Sequence, residues 1–238
     1  MARASHSCSP AERPNALLVK LGILVSGRGS NLEAVLAAHI RGLQPVIVIS
    51  NRPGVPALAV AARFGIPSTT LRRADFADAE ARDAAIGRAL TEASCELALL
   101  AGYDQLLAKS YFDAFAGQTV NVHPSLLPAH GGRGMVGLAV HAAVLAAGET
   151  ETGVTIHEVT PELDAGPILA RAPVPVDLAD DAAALADRVL AAEHRLLVET
   201  LARLVADRTV GMSRARMADG SAEVVDAHET YKRPLPHA

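Results

Sequence analysis

Leu21-Gly22-Ile23-Leu24-Val25-Ser26-Gly27-Arg28-Gly29-Ser30-Asn31 is an apolar run that ends in a glycine-rich turn, and a helical pattern follows from Leu32 to Ala38. An uncharged run of this length suits a strand buried on both faces. A helix that opens at such a turn points its unpaired N–H groups, and the positive end of its dipole, back into the turn. That geometry fits a phosphate. The stretch lacks the Gly-Lys-Ser/Thr of the Walker loop and a complete G-x-G-x-x-G. The same residues also suit a plain strand-to-helix turn capped by Ser or Asn, and local shape does not separate the two.

The alternation continues outward. Pro45 to Ser50 reads as a second strand, closed by the turn Asn51-Arg52-Pro53-Gly54. Ala57 to Phe64 is helical and ends at Gly65, and Ile66 to Leu71 is a short third strand. Ala79 to Ala93 reads as a helix, with Leu97 to Leu100 and Val120 to Val122 as strands four and five. Strands alternating with helices imply crossovers and a parallel sheet. Beyond the flexible Gly131-Gly132-Arg133-Gly134 the rhythm changes. Leu138 to Ala147 looks helical, Gly153 to Val159 alternates as a strand, and Ile168 to Val174 reads as its hairpin partner. A long amphipathic helix spans about Asp181 to Ala206. The expected class is α/β: a Rossmann-like, mostly parallel sheet flanked by helices, with a late antiparallel hairpin and a long C-terminal helix. Residues 1–16 read as a disordered tail, 17–210 as one domain and 211–238 as a C-terminal extension. No internal repeat is visible.

Half of the 238 residues are apolar, enough for a substantial core. A formal net charge of −4 argues against a nucleic-acid binder that works through a broad basic face. The chain has no Trp, so no ligand stacks on an indole. Two cysteines, Cys8 and Cys95, make neither a disulfide framework nor a paired-cysteine zinc site. Nothing resembles a membrane span, and the N-terminus lacks a continuous apolar segment of the signal-peptide kind. The cytoplasm is the expected compartment.

Two further segments carry candidate chemistry. Val120-Asn121-Val122-His123-Pro124-Ser125-Leu126-Leu127-Pro128 lies at the carboxyl end of a predicted strand, where α/β sheets place their ligands. On a strand Asn121 and His123 share a face. An amide can donate to a polarised carbonyl, and an imidazole transfers protons near neutral pH. A histidine held by backbone hydrogen bonds in a proline-bounded loop would look the same. Pro161-Glu162-Leu163-Asp164-Ala165-Gly166-Pro167 lies between the two late strands. There Asp164 could orient His123 and favour its protonated form, or simply serve a hairpin turn. His130 and His141 border the glycine-rich loop, His157 falls in an alternating strand, and His6, His228 and His237 fall in tails. None has metal-ligand spacing, so no metal is assigned.

Taken in order, Ser-Gly-x-Gly-Ser-Asn-Leu, Asn-Val-His-Pro-Ser-Leu-Leu-Pro, Glu-Thr-Gly-Val-Thr-Ile-His and Glu-Leu-Asp-Ala-Gly-Pro-Ile resemble the folate-dependent formyltransferases. The likeness runs from about Lys20 to Val205 and is greatest to the branch that formylates glycinamide ribonucleotide in purine synthesis. Residues 131–137 with Val140-His141 resemble a sub-branch with a longer loop. The resemblance implies 10-formyltetrahydrofolate as donor and co-substrate, and a monomer or homodimer working on small molecules. It implies that Gly29, Ser30 and Asn31 hold the acceptor phosphate and that Glu193 contacts its ribose. Asn121, His123 and Asp164 would form the catalytic trio. Gln105, Leu106 and Leu107, with Asn121 and the Glu162-Leu163-Asp164 loop, would cradle the pterin. Two departures fall on the folate side of this pattern: Asp104-Gln105 follows Tyr103 where Met-Arg or Leu-Arg is usual, and Ala79 stands where a basic residue is frequent.

Other readings are weaker. Methionyl-tRNA formyltransferase needs a further C-terminal domain, for which the residues after the long helix are too few. A formyltetrahydrofolate deformylase needs a domain before Leu21. A sugar-amine formyltransferase would share the trio but not the Gly-Ser-Asn phosphate loop. A non-catalytic folate or nucleotide binder would not need the trio. An NAD-dependent oxidoreductase would end its second strand in an acid, where Ser50 and Asn51 stand.

Overall fold

The computed structural model describes residues 18–218. The N-terminal tail with His6 and Cys8, and the part of the extension that holds His228 and His237, lie outside them. Strands β1 (Val19–Val25), β2 (Leu43–Ser50), β3 (Ser68–Thr70), β4 (Leu97–Leu100), β5 (Gln118–His123), β6 (Glu151–Glu158) and β7 (Ile168–Pro175) form one sheet in the order β3-β2-β1-β4-β5-β6-β7. The pairs from β3 to β5 are parallel. Those from β5 to β7 are antiparallel. Helices α1 (Ser30–Ala37), α2 (Pro56–Arg63), α3 (Ala79–Glu92), α4 (Lys109–Ala114), α5 (Leu138–Ala146) and α6 (Ala182–Ala218) pack around it.

Side chains alternate across the sheet, and two apolar layers result. Val19, Leu21, Ile23, Leu97 and Leu99 face α1, α2 and the buried stripe Leu185, Val189, Leu197, Leu201 of α6. Leu24, Ile49, Ala98 and Leu100 face Ile86, Leu90 and Tyr111 of α3 and α4. Gly22 lets α3 approach: a Cβ there would stand 2.1 Å from Leu90 Cδ2. Helix starts follow local chemistry. Asp78 accepts from Ala81 N at 2.7 Å, Asp181 accepts from Ala184 N at 2.8 Å, and Pro56 takes the first turn of α2, where a missing N–H costs nothing.

Three elements differ from the sequence reading. Helix α4 is absent from it, because six residues are too few for a periodic signal; Tyr111, buried with its hydroxyl 2.7 Å from Thr119 Oγ1, anchors it. Strand β3 is only Ser68–Thr70, an edge strand paired with Val48 to Ser50. Helix α6 runs on to Ala218 without a break at Ala206. The chain leaves β1 toward β2 and returns on the other side at β4. That reversal opens a crevice at the carboxyl ends of β1 and β4, next to β5.

Candidate active site

The crevice holds two cavities. The larger, of about 690 Å³, lies between the Ser26–Asn31 turn, the end of β5 and the inner face of α6. Gly29 caps α1 with φ 84°. A Cβ on it would meet Ala57 Cα at 2.7 Å, so the glycine is needed for packing against α2 as well as for its left-handed backbone. Asn31 Nδ2 donates to Glu193 Oε2 at 2.9 Å, across 162 residues of chain. Burial pushes the Glu193 carboxyl up to about 6, against the opposing pull of the Asn31 hydrogen bond and the Arg28 charge. Arg28 and Arg52 are the arginines on this cavity's wall.

At its inner end stand Asn121 and His123. His123 is 5% exposed, and its Nε2–H donates to the carbonyl of His130 at 2.9 Å. The other ring nitrogen, Nδ1, therefore faces Asp164, whose Oδ2 lies 4.0 Å away and accepts from Gly132 N at 2.8 Å. His157 completes the cluster. Its Nδ1 lies 3.0 Å from the carbonyl of Glu158, which only accepts, so Nδ1 carries the hydrogen and Nε2 accepts from Asn121 Nδ2 at 3.1 Å. Burial lowers the His157 pKa, which favours this neutral ring. One hydrogen of the Asn121 amide is thus committed to His157, and the second is left to meet a substrate oxygen.

The smaller cavity, of about 210 Å³, begins at the same two residues and runs between the segment after β4 and the Thr160–Asp164 loop. Its floor is supported from beneath. Arg82 and Asp83 form a buried ion pair at 2.7 Å; Asp83 accepts from Ala108 N at 2.8 Å, and Arg82 donates to Leu106 O at 3.4 Å and Gln105 Oε1 at 3.3 Å. Asp104 lies between the cavities. It accepts from Asn51 Nδ2 at 2.8 Å, pairs with Arg52, and donates its N–H to Ser26 Oγ at 3.0 Å. Burial opposes its ionisation, but the hydrogen bonds from Asn51, Ser26 and Gln105 and the Arg52 charge hold it below the usual carboxylate range.

Residues 19–201 match the model of the formyl transferase family. The chain is 37% identical over 213 residues to phosphoribosylglycinamide formyltransferase of Mycobacterium tuberculosis, covering 86% of this chain and 96% of that protein. The chain belongs to the formyl transferase family, in its phosphoribosylglycinamide formyltransferase branch. It is also 40% identical over 191 residues to the trifunctional purine biosynthetic protein adenosine-3 of Drosophila melanogaster, covering 78% of this chain and spanning 14% of that longer protein. The crystal structure of glycinamide ribonucleotide transformylase 1 from Symbiobacterium toebii superposes with a TM-score of 0.76 at 33% identity, covering 84% of this chain and 94% of that one.

Set in this family fold, the sequence-derived residues fall into three groups. Gly29, Ser30, Asn31 and Glu193 line the larger cavity, and Gln105, Leu106, Leu107, Glu162 and Leu163 line the smaller one. Asn121 and His123 line both. The backbone-held histidine weighed in the sequence is also present: His123 is anchored through Nε2 and presents Nδ1. Ala79 opens α3 and is not among the residues lining either cavity. His157, Arg82 and Asp83 were missed. Asp83 stands at helical spacing from Ile86, Gly87 and Leu90, which marks a carboxylate on a buried face. His157 falls at a polar position of β6, on the face opposite Val154 and Ile156, and is buried only because the strand is covered on both faces, so its role is visible only with its partner.

Proposed function

We propose that this chain transfers the formyl group of 10-formyltetrahydrofolate to the amine of glycinamide ribonucleotide, a step of de novo purine biosynthesis. One observation carries the reading: the two cavities meet at a shared wall of Tyr103, Asp104, Met135 and Val136 with the amide Asn121 and the imidazole His123, so a group passed between two bound molecules would cross beside an amide donor and a proton-transferring ring. The larger cavity, with the α1 N-terminus and Arg28 at one end and Glu193 on its wall, suits a phosphorylated ribose. The smaller one, with apolar Leu100, Leu107 and Val159 beside backbone polar groups, suits a flat heterocycle.

In this mechanism the acceptor amine adds to the formyl carbon, and the carbonyl electron pair moves onto oxygen. The free hydrogen of Asn121 Nδ2 and a proton on His123 Nδ1 stabilise that oxyanion. Asp164, with Oδ2 4.0 Å from His123 Nδ1, stands beside the ring and accepts, through a water, the proton released by the amine. A proton reaches the folate nitrogen as its bond to the formyl carbon breaks, leaving tetrahydrofolate and the formylated amide. The protein is expected to act in the cytoplasm as a monomer or homodimer; among the described residues no helix is long and apolar enough to cross a membrane. The test is a formyl-transfer assay with both substrates, with a nucleotide-linked amino sugar as the competing acceptor. Transfer to the sugar in preference to glycinamide ribonucleotide would overturn the acceptor assignment.

A further inference from the structure

The loop that follows His123 is tied down at successive points. Thr155 Oγ1 donates to Ser125 O at 2.7 Å and accepts from Leu127 N at 3.0 Å, and Arg171 donates to Leu127 O. The last tie is at His130, whose Nε2 lies 2.7 Å from Glu149 Oε1, in the turn between α5 and β6. A carboxylate only accepts, so His130 Nε2 carries the hydrogen. His130 holds φ 52°, a left-handed conformation that a non-glycine residue keeps only when its surroundings impose it.

Two backbone groups beside that side chain reach the reaction centre. The His130 carbonyl accepts from His123 Nε2 at 2.9 Å. Two residues on, the Gly132 N–H donates to Asp164 Oδ2 at 2.8 Å. The segment beyond cannot hold these groups by its own stiffness, because Gly132, Gly134 and Gly137 all have positive φ and open space where a side chain would be. Within the loop, Ser125 Oγ donates to Ala129 O at 2.6 Å and lies 3.5 Å from His130 O, which ties the backbone just before the flexible glycines, and Glu149 adds the contact that grips the His130 side chain from outside the loop.

We propose that the Glu149–His130 contact is a positioning device for the reaction centre. By holding the His130 carbonyl and the Gly132 N–H in place, it keeps His123 turned with Nδ1 toward the substrate and fixes the Asp164 carboxylate beside it. Glu149 and His130 are positioning residues, since neither side chain lines the cavities. The inference rests on the catalytic reading of His123 and Asp164 given above.

The experiment is steady-state kinetics on Glu149→Ala, His130→Ala, the double variant, Glu149→Gln and His123→Ala, with melting curves and nitrogen-15 spectra of the His123 ring. Glu149→Ala and His130→Ala should each lower kcat at least about tenfold, a loss expected from a small misplacement of catalytic groups, with both KM values within about twofold. The double variant should lose no more than the worse single one, because both remove the same contact. Glu149→Gln, which keeps an acceptor, should recover most of the turnover. In spectra taken at high pH, where the ring is neutral, His123 should change from a fixed Nε2-protonated tautomer to a mixture in Glu149→Ala. Full turnover and an unchanged ring in a folded Glu149→Ala protein, with His123→Ala inactive, would overturn the proposal. Full turnover in His123→Ala would instead overturn the catalytic reading, and the ring spectrum of Glu149→Ala would still decide whether Glu149 holds the loop.

Discussion

Asn121 Nδ2 donates to His157 Nε2 across 3.1 Å, and the two residues face each other in register on the antiparallel strands β5 and β6. The contact fixes which way the amide points, so that its second N–H is aimed rather than free to rotate. Replacing His157 with Leu should lower kcat by about tenfold through loss of that orientation, with KM for both substrates nearly unchanged. A KM effect without a kcat effect would show that His157 serves binding and not the amide.

His123→Ala and Asp164→Asn should each lower turnover by at least about a hundredfold, the scale of an oxyanion or acid–base partner. Circular dichroism and melting of the purified variants check that they remain folded. Near-wild-type turnover in either one removes the mechanism.

Glu193 on the wall of the larger cavity carries a pH-dependent stability cost. Its carboxyl titrates near 4.5 in the unfolded chain and near 6 when buried. The folded state therefore keeps a proton that the unfolded state loses, and stability falls as pH rises from about 4.5 to 6. Above that window the ionised group costs about 2 kcal/mol. Glu193→Gln should accordingly melt higher than the parent at pH 7.5, melt alike below pH 4.5, and raise the acceptor KM. Equal melting at every pH would mean that the carboxylate is fully solvated.

Gly29 has a structural duty that overrides any simple reading of its role in binding. A side chain at φ 84°, pressed on Ala57, should destabilise the fold, and Gly29→Ala should cost about 1–3 kcal/mol in denaturant unfolding. An undiminished unfolding midpoint with weakened acceptor binding would show that the glycine serves the ligand alone.

Around the smaller cavity the charges are already committed. Asp104 is paired with Arg52, and Gln105 lies 3.3 Å from the Arg82 guanidinium, so an arginine at 105 would face a like charge. Gln105→Arg and Ala79→Arg should leave the donor KM unimproved. Arg133 is the arginine that lines the smaller cavity, and if that cavity takes the donor as proposed, Arg133→Ala should raise KM for a polyglutamylated donor severalfold at low salt and less at high salt. A salt-independent change would assign Arg133 to packing.

The order of strands and helices, the glycine turn after β1 and the strand-end placement of Asn121 and His123 were legible in the sequence, because periodicity and turn chemistry act over a few residues. Six-residue α4 was not, since so short a helix has no period to read. The site was legible as separate segments whose grouping came from family likeness. Only the tertiary structure decided that Glu193 meets Asn31, that Asp104 is held by Asn51 and Arg52, and that His157 sets the Asn121 amide. These contacts join residues 36 to 162 positions apart. Each depends on which strands become neighbours and in what register, and that is settled by burying two apolar layers at once across the whole sheet.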